Sequence, residues 1–355
     1  MIVKNEARLL PACLASISGL VDEIIVVDTG STDQTREIAI AAGAKLYEYP
    51  WHGDFAAARN QALERASGDW ILYIDADERV RSPDRPALLK ALRRGDVAGY
   101  TVRFHPRPGF TAYPEYRIFR NDPRIRFEGV IHESHLAGLR AVATADGLTI
   151  LPCDVTMDHV GYEGDQSHKH DRNLPLLLQR TRTPPVRTYM WWHLGFTYRE
   201  LGQLDAAEAA WLNAIAPARD DSARTREESQ CYGELAKLYY DQGRDALTLV
   251  EEGLSYFPEN LLLQWIKARL LAEAERYDEA AAIYESLGRI DPATYLDPLS
   301  YDVRIIGPGA LADRARLAMQ AGDKDEASRW FARAARFSHD AVAQPLSNQA
   351  EHALA

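Results

Sequence analysis

The stretch Asp69-Trp-Ile-Leu-Tyr-Ile-Asp75-Ala-Asp77-Glu78 decides how this chain reads, because an apolar strand runs straight into a cluster of carboxylates. In an α/β sheet the ligand crevice lies beyond the carboxyl ends of the strands, so Asp75 and Asp77 fall where a nucleotide reaches them. Carboxylates at i and i+2 past a strand end can turn toward a common site. One then meets a sugar or ribose hydroxyl, and the other a divalent ion that bridges phosphate oxygens. The triplet alone is weak, since a chain of this length carries on the order of one D-x-D by chance. Carboxylates after strands also serve simply as turn formers and helix caps.

The surroundings strengthen it. An earlier strand, Glu23-Ile-Ile-Val-Val-Asp28, also ends in an acid and opens into Thr29-Gly30-Ser31-Thr32-Asp33-Gln34-Thr35. Both strands therefore deliver acids to one edge. Ser31 and Gln34 read as a capping box, with Gly43 stopping a helix from Gln34 to Ala42. Ser31, Thr32 and Asp33 either start that helix and nothing more, or line the site as well. Asp28 precedes the glycine turn and is placed to accept hydrogen bonds from a base or ribose. Phe55-Ala-Ala-Ala-Arg59-Asn60 belongs to a further helix, capped by Asp54 and running to about Ala66.

Taken in order, Met1-Ile-Val-Lys-Asn-Glu6, Val27-Asp-Thr-Gly-Ser-Thr-Asp33, Ala58-Arg-Asn60 and Asp75-Ala-Asp-Glu78 resemble a family 2 glycosyltransferase of the GT-A fold. The resemblance covers roughly the first half of the chain. It implies a nucleoside diphosphate sugar as donor, most simply a UDP-sugar, and Mn²⁺ or Mg²⁺ as cofactor. On the donor side it implies Val3, with Asn5 and Asp28 near base and ribose, Arg59 near the nucleotide or diphosphate, and Asp75 near the ribose or donor sugar. Asp77 is implied as a metal ligand. Arg117-Ile-Phe-Arg120 and Gly129-Val-Ile-His132-Glu133 resemble the segment that supplies the catalytic carboxylate of inverting relatives, which makes Glu133 the implied general base. Glu133 paired with a neighbouring Arg as structure is the other reading. His132 stands beside it on the donor side, to orient the base or contact a phosphate. Asp158-His159-Val-Gly161-Tyr162 resembles the segment that returns a His to the donor pocket, implying His159 as second metal ligand. A lone His is otherwise more often structural. Lys169-His-Asp-Arg172-Asn173 either adds positive charge near the diphosphate or is a solvated helix start, with Asp171 as cap and Pro175 in the first turn.

Composition fits an enzyme of this kind. The 355 residues suggest two domains, and 46% apolar content is enough to fill their cores. A net charge of −11 argues against a nucleic-acid partner. Cys13, Cys153 and Cys231 lack disulfide or zinc-ligand spacing. With no apolar run near bilayer length, the expectation is a cytoplasmic protein without a transmembrane segment.

The first strand, Met1-Ile-Val3, is brief, and relatives of this kind carry a few apolar residues before it. From Glu6 to Leu20, apolar residues recur at helical spacing, with Gly19 near the end. Residues 44 to 49 form a strand. The alternation of strand and helix predicts a mainly parallel, Rossmann-like sheet with right-handed crossovers. A helix from Pro83 to Arg94 and strands at 99–105, 113–120 and 148–157 follow, on the side expected to take the acceptor.

From about residue 187 an internal repeat is visible. Trp191, Leu194, Gly195, Tyr198, Ala207, Trp211 and Ala214 match tetratricopeptide spacing. The pattern returns at Tyr232, Leu235, Ala236, Tyr239 and Gly243, then at Ala268, Leu271, Tyr277, Ala280 and Tyr284. A degenerate copy includes Ala315, Gly322, Ala327, Phe331 and Ala334. Helix pairs stacked in this way form an α-solenoid whose aromatics are mostly core. An irregular insert from Asp291 to Gly309 interrupts the period. The expected layout is a GT-A domain over 1–163, a linking helix over 164–186, the helical repeats over 187–340 and a tail over 341–355. The arrangement is similar to that of some peptide S-glycosyltransferases, which implies a peptide, protein or saccharide acceptor, and a homodimer through the repeats is a further possibility. A repeat-based adaptor that keeps the fold without the reaction, and a nucleotidyltransferase, are the competing readings.

Overall fold

The computed structural model describes residues 1–81, 85–161, 167–184, 186–216 and 225–337. The expected tail over 341–355, Tyr162 and the Pro83 helix start lie outside them. The chain forms two compact units. Unit 1 comprises Met1–Pro108, Ala112–Asp165 and Leu296–Pro298, and unit 2 comprises Gly109–Thr111, Gln166–Tyr295 and Leu299–Ala355.

Unit 1 is α/β. Its elements are β1 (Ile2–Val3), α1 (Leu10–Ile17), β2 (Ile25–Asp28), α2 (Thr35–Ala41), β3 (Lys45–Glu48), α3 (Phe55–Arg65), β4 (Trp70–Leu72) and β5 (Glu78–Arg81). They are followed by α4 (Arg85–Leu92), β6 (Val97–His105), β7 (Tyr113–Arg120), α5 (Leu136–Ala145) and β8 (Thr149–His159). β1, β2 and β3 pair in parallel, as β-α-β alternation demands. A second sheet runs in the order β4-β7-β6-β8-β5. There β6 and β8 are parallel, whereas the β4–β7, β6–β7 and β5–β8 ladders are antiparallel.

Local chemistry explains several boundaries. Asp54 caps α3 by accepting the Ala57 N–H at 2.9 Å. Gly43, at φ 78°, ends α2 with its N–H on the Ile40 carbonyl. The capping box expected of Ser31 and Gln34 does not form. Ser31 Oγ instead accepts the Asn5 N–H at 2.9 Å, and Asp33 accepts the Thr35 N–H at 3.0 Å. Helix α1 begins later than expected, at Leu10, and α5 was not anticipated by the sequence reading. The core packs Leu10, Cys13, Leu14 and Ile17 of α1 against Ile74, Val80, Val102, Phe104 and Met157. A neighbouring cluster joins Ala56 and Leu63 of α3 to Phe119, Ile125, Phe127, Leu139 and Val142.

Unit 2 is helical. After α6 (Ser167–Arg182) come the pairs α7 (Thr188–Glu200) with α8 (Leu204–Ile215) and α9 (Arg226–Asp241) with α10 (Leu247–Tyr256). These are followed by α11 (Leu261–Glu273) with α12 (Tyr277–Leu287) and α13 (Gly307–Gln320) with α14 (Lys324–Arg336). Two expectations are corrected here. Helix α6 already runs from Ser167, so Asp171 is no cap and Pro175 stands inside the helix, where it removes a backbone hydrogen bond. Gly307-Pro308-Gly309 belongs to the first turn of α13 rather than to the insert, because proline is well placed where N–H groups lack helical partners. No helix among the described residues is long and apolar enough to cross a membrane.

The first helices of successive pairs are cross-linked. Arg199 pairs with Glu234, Tyr240 with Glu273, Arg269 donates to the Tyr240 hydroxyl at 3.1 Å, and Trp265 donates to Asp313 at 2.8 Å. Within the α7–α8 pair, the fully buried Trp211 lies in a notch left by Gly195, and its Nε1 donates to the Trp192 carbonyl at 3.2 Å. A Cβ added at Gly195 would stand 2.3 Å from that nitrogen. Gly195→Ala should therefore lower the stability of the repeats by about 1–3 kcal/mol in spite of alanine's better helix propensity. Urea unfolding followed by tryptophan fluorescence measures this, and an unchanged midpoint would contradict the packing described.

Candidate active site

Arg59 gathers the site. Helix α3 is alanine-rich on its inner face, which lets the Arg59 side chain turn inward, where the residue is 9% exposed. Its Nη1 and Nη2 donate to the two oxygens of Asp75 at 2.7 and 3.0 Å, and its Nε donates to Glu133 Oε1. The guanidinium carbon lies 4.5 Å from the centre of the Tyr73 ring and 5.7 Å from that of Phe127. Burial opposes the Arg59 charge, but Asp75, Tyr73 and Glu133 outweigh it and hold the group more firmly protonated than usual. Burial likewise works against an ionised Asp75, yet Arg59 prevails and depresses its pKa to about 2.

Two backbone devices bring Glu133 to Arg59. The loop from Glu128 to Ser134 is closed by reciprocal backbone hydrogen bonds between those residues, at 3.0 and 3.1 Å. The Phe55 N–H at the start of α3 donates to the Val130 carbonyl inside that loop. The loop turns through Gly129 at φ 102° and His132 at φ 49°. Asn60 reinforces the link, because its side chain donates to the Phe127 carbonyl and accepts the Phe127 N–H, both at 2.9 Å. Its position next to Arg59 in the Ala58-Arg-Asn60 motif thus has a structural use that sequence reasoning had not assigned.

Beneath Asp75 lies a second buried ion pair. Arg117 of β7 donates to Glu78 at 2.6 Å, and the other Glu78 oxygen accepts the Asp75 N–H at 2.9 Å. Burial pushes the Glu78 carboxyl up to about 7, against the pull of Arg117. The Arg117 guanidinium carbon lies 4.2 Å from the Tyr73 ring centre and 4.8 Å from that of Phe104. His135 is stacked on Phe119 at 4.4 Å and held neutral, chiefly by burial, with its pKa near 3. None of Tyr73, Glu78, Arg117 and His135 was given a role from sequence. Tyr73 carried a signal as a polar tip two positions before Asp75, on the same side of an extended segment, and Glu78 and Arg117 lay within the motifs quoted above.

Asp77 and His159 stand together, with His159 Nε2 3.0 Å from Asp77 Oδ2. His159 Nδ1 lies 3.0 Å from the Pro106 carbonyl. Burial disfavours the charged ring, but the Asp77 hydrogen bond outweighs it and raises the His159 pKa above 6.5. A divalent cation fits this donor set. With Nδ1–H donated to the Pro106 carbonyl, Nε2 would bind a cation only after losing the proton it shares with Asp77, whose carboxylate would then contribute a hard oxygen. Gly161 leaves the carboxylate its space, since a Cβ there would lie 2.2 Å from Asp77 Oδ2. Among the described residues no three His, Cys, Asp or Glu side chains converge as a closed metal cage. A cation here would therefore depend on ligand oxygens to complete its shell, as Mg²⁺ commonly does with substrate phosphates.

The remaining predicted donor residues lie at the end of the parallel sheet. Val3 pairs with Asp28 in the β1–β2 register, and its carbonyl accepts both the N–H and the hydroxyl of Thr29, at 2.9 and 3.1 Å. Asn5, at φ 58°, accepts the Thr32 N–H at 2.8 Å. The Asp28 side chain is fully buried, accepting N–H groups of Gly30 and Ser31 and the Arg36 Nε at 2.7 Å. Arg36 in turn pairs with Glu48 at 2.9 Å. In this arrangement Asp28 shapes the loop that carries Ser31 and Thr32.

Comparison with known proteins identifies the class. Residues 1–143 match the model of glycosyl transferase family 2, and residues 188–216 match a tetratricopeptide repeat. Residues 1–143 thus form an α/β glycosyltransferase domain of family 2 type, and the helical unit that follows carries tetratricopeptide repeats. It is 40% identical to a TPR repeat-containing protein of Synechococcus elongatus, over 60% of this chain and 54% of that one. It is 28% identical to the SPbeta prophage-derived glycosyltransferase SunS of Bacillus subtilis, over 59% and 50%. An uncharacterized glycosyltransferase of Rickettsia felis shares 44% identity over 36% of this chain and 41% of its own. The chain spans about half the length of the first two relatives. Among solved structures, the TPR protein YrrB aligns with TM-score 0.38 and 13% identity, over 52% of this chain and 84% of its own. Glucosyl-3-phosphoglycerate synthase from Mycobacterium tuberculosis, solved with Mn²⁺, UDP and glucosyl-3-phosphoglycerate, aligns with TM-score 0.35 and 19% identity, over 51% and 77%. These scores add nothing on substrate.

The depressed Asp75 has a consequence for stability. Its folded pKa lies below the unfolded value of 3.8, so its contribution is fully present above about pH 4 and is lost as pH falls toward 2. The drop from 3.8 to about 2 corresponds to about 2 kcal/mol. The stability difference between wild type and Asp75→Asn should therefore shrink by that amount over this range. Urea titrations at several pH values test it, and a difference that stays constant with pH would exclude the assignment.

Proposed function

We propose that this chain is a metal-dependent inverting glycosyltransferase that moves a hexose from a UDP-sugar to a peptide, protein or saccharide acceptor. The observation that carries the reading is the convergence of Asp75, Arg59 and Glu133, with the Asp77–His159 pair beginning two residues beyond Asp75. The family 2 match over residues 1–143, which takes in Arg59, Asp75, Asp77 and Glu133 but not His159, supports it.

Each group then has a task. Asp77 and His159 would hold Mn²⁺ or Mg²⁺, which would supply charge neutralisation for the departing diphosphate. Val3, Asn5, Asp28 and the loop they support form the nucleotide end, and His132, next in sequence to Glu133, orients that base or contacts a phosphate. Asp75, kept ionised by Arg59, accepts a hydroxyl of the ribose or sugar. Glu133 takes the acceptor's proton as that nucleophile attacks the anomeric carbon from the side opposite the diphosphate. Such a single displacement inverts the anomeric configuration.

The first test is thermal stabilisation by a panel of nucleotide sugars with and without Mn²⁺, since a ligand that binds only the folded state raises its melting temperature. One UDP-sugar should give a Mn²⁺-dependent shift, and Asp77→Ala should abolish the metal-dependent part. Glu133→Gln should keep the shift while turnover falls by about 10²- to 10⁴-fold. Folded protein that neither binds nor consumes any nucleotide sugar would instead mark a non-catalytic repeat protein. Pyrophosphate released from a nucleoside triphosphate would mark nucleotidyl transfer.

A further inference from the structure

We infer that Tyr73 and Arg117 are positioning residues, which hold the Arg59 guanidinium so that it sets the placement of Asp75 relative to Glu133. The inference rests on the proposed transfer reaction, in which Asp75 serves the donor and Glu133 the acceptor. Neither Tyr73 nor Arg117 needs to touch a substrate for this role.

The argument is geometric. Arg59 uses Nε, Nη1 and Nη2 on the two carboxylates, so any movement of the guanidinium moves both. What holds it otherwise is the Tyr73 ring, 4.5 Å away, and Phe127 at 5.7 Å. Tyr73 is itself fixed twice. Its hydroxyl lies 3.3 Å from Asp75 Oδ2, and Arg117 packs on its ring at 4.2 Å. Arg117 is 5% exposed, and its Nε and Nη1 have no hydrogen-bond partner among the described residues. One Glu78 oxygen and the two aromatic rings therefore orient it, rather than a full set of hydrogen bonds. Glu78 completes the path by accepting the Asp75 N–H. The contacts run from Arg59 to Asp75, Glu78, Arg117 and Tyr73, and back to Arg59. One aromatic ring thus takes two guanidinium groups, which only their separate carboxylates make tolerable.

The expected readout is a loss of turnover without a matching loss of donor affinity. Tyr73→Leu removes the ring and should lower kcat by about 10- to 100-fold, the scale of a misplaced catalytic group. Its KM for the UDP-sugar, measured with Mn²⁺, should change less than about 3-fold. Tyr73→Phe keeps the ring and should stay within about 3-fold of wild type in both constants. Arg117→Lys retains charge but not the planar stack, so it should follow Tyr73→Leu. A folded Tyr73→Leu protein with wild-type kcat, a loss carried by KM, or Tyr73→Phe as impaired as Tyr73→Leu would each overturn the inference.

A readout independent of activity separates this inference from the transferase reading. The Arg59 Nε–H resonance, assigned with Arg59→Lys, should be protected from solvent exchange in wild type and exposed in Tyr73→Leu and Arg117→Lys. If no donor is turned over yet this pattern is found, the transferase reading fails and the positioning unit stands. If the resonance is unprotected in wild type, or equally protected in both variants, the positioning unit fails.

Discussion

A guanidinium brought out of water needs carboxylates, and in unit 1 that need draws three distant parts of the chain together. Arg59 comes from α3, Asp75 from the segment after β4, and Glu133 from a loop closed on itself by backbone hydrogen bonds. Removing one partner of such a pair costs about 3–5 kcal/mol, because the charge left behind stays buried. The rest of the site is arranged around that constraint. Asn60 binds the Phe127 backbone beside it, α3 presents alanines to admit the arginine, and the Arg117–Glu78 pair supports the Asp75 backbone from below. The two ion pairs share an aromatic ring, so the electrostatics and the packing of this region are one problem.

The Asp77–His159 side obeys a different constraint of space. Asp77 and His159 face each other across a hydrogen bond, and the raised His159 pKa reflects a proton held where a cation would also be attracted. The β5–β8 register, which sets Glu78 opposite His159, is what brings the Asp77 region to the histidine across 82 residues of sequence. Gly161 completes the arrangement by having no side chain at all.

Much of this was legible beforehand where the signal is local. Asp54 before an alanine-rich helix, Gly43 after another, and Asp28 ending an apolar strand each have a short-range cause and are found, whereas β4 stops at Leu72, short of Asp75, and pairs in the other sheet. Illegible features were those decided by distant partners. Ser31 looked like a cap, but Asn5, far away in sequence, takes its hydroxyl. Asp28 looked open to a ligand, yet the turn that follows it and Arg36 surround its carboxylate. Period and spacing mark a Tyr or an Arg on a strand; they do not say that Tyr73 lies between Arg59 and Arg117. In the repeats the balance is better, because each Gly, Ala and Trp of the pattern answers a neighbour within one helix pair. Gly195 and Trp211 show why the spacing persists: the glycine is the shape complement of the indole.

The closed circuit around Tyr73 also shapes how this sequence can vary over time. In a ring of mutual supports, the first substitution opens the circle and bears most of the cost, while a second in the same ring finds little left to disrupt. Changes at Arg59, Tyr73, Asp75, Glu78 and Arg117 are therefore epistatic. Lineages should keep the whole set or exchange it together, with few surviving intermediates, so these positions drift as a block.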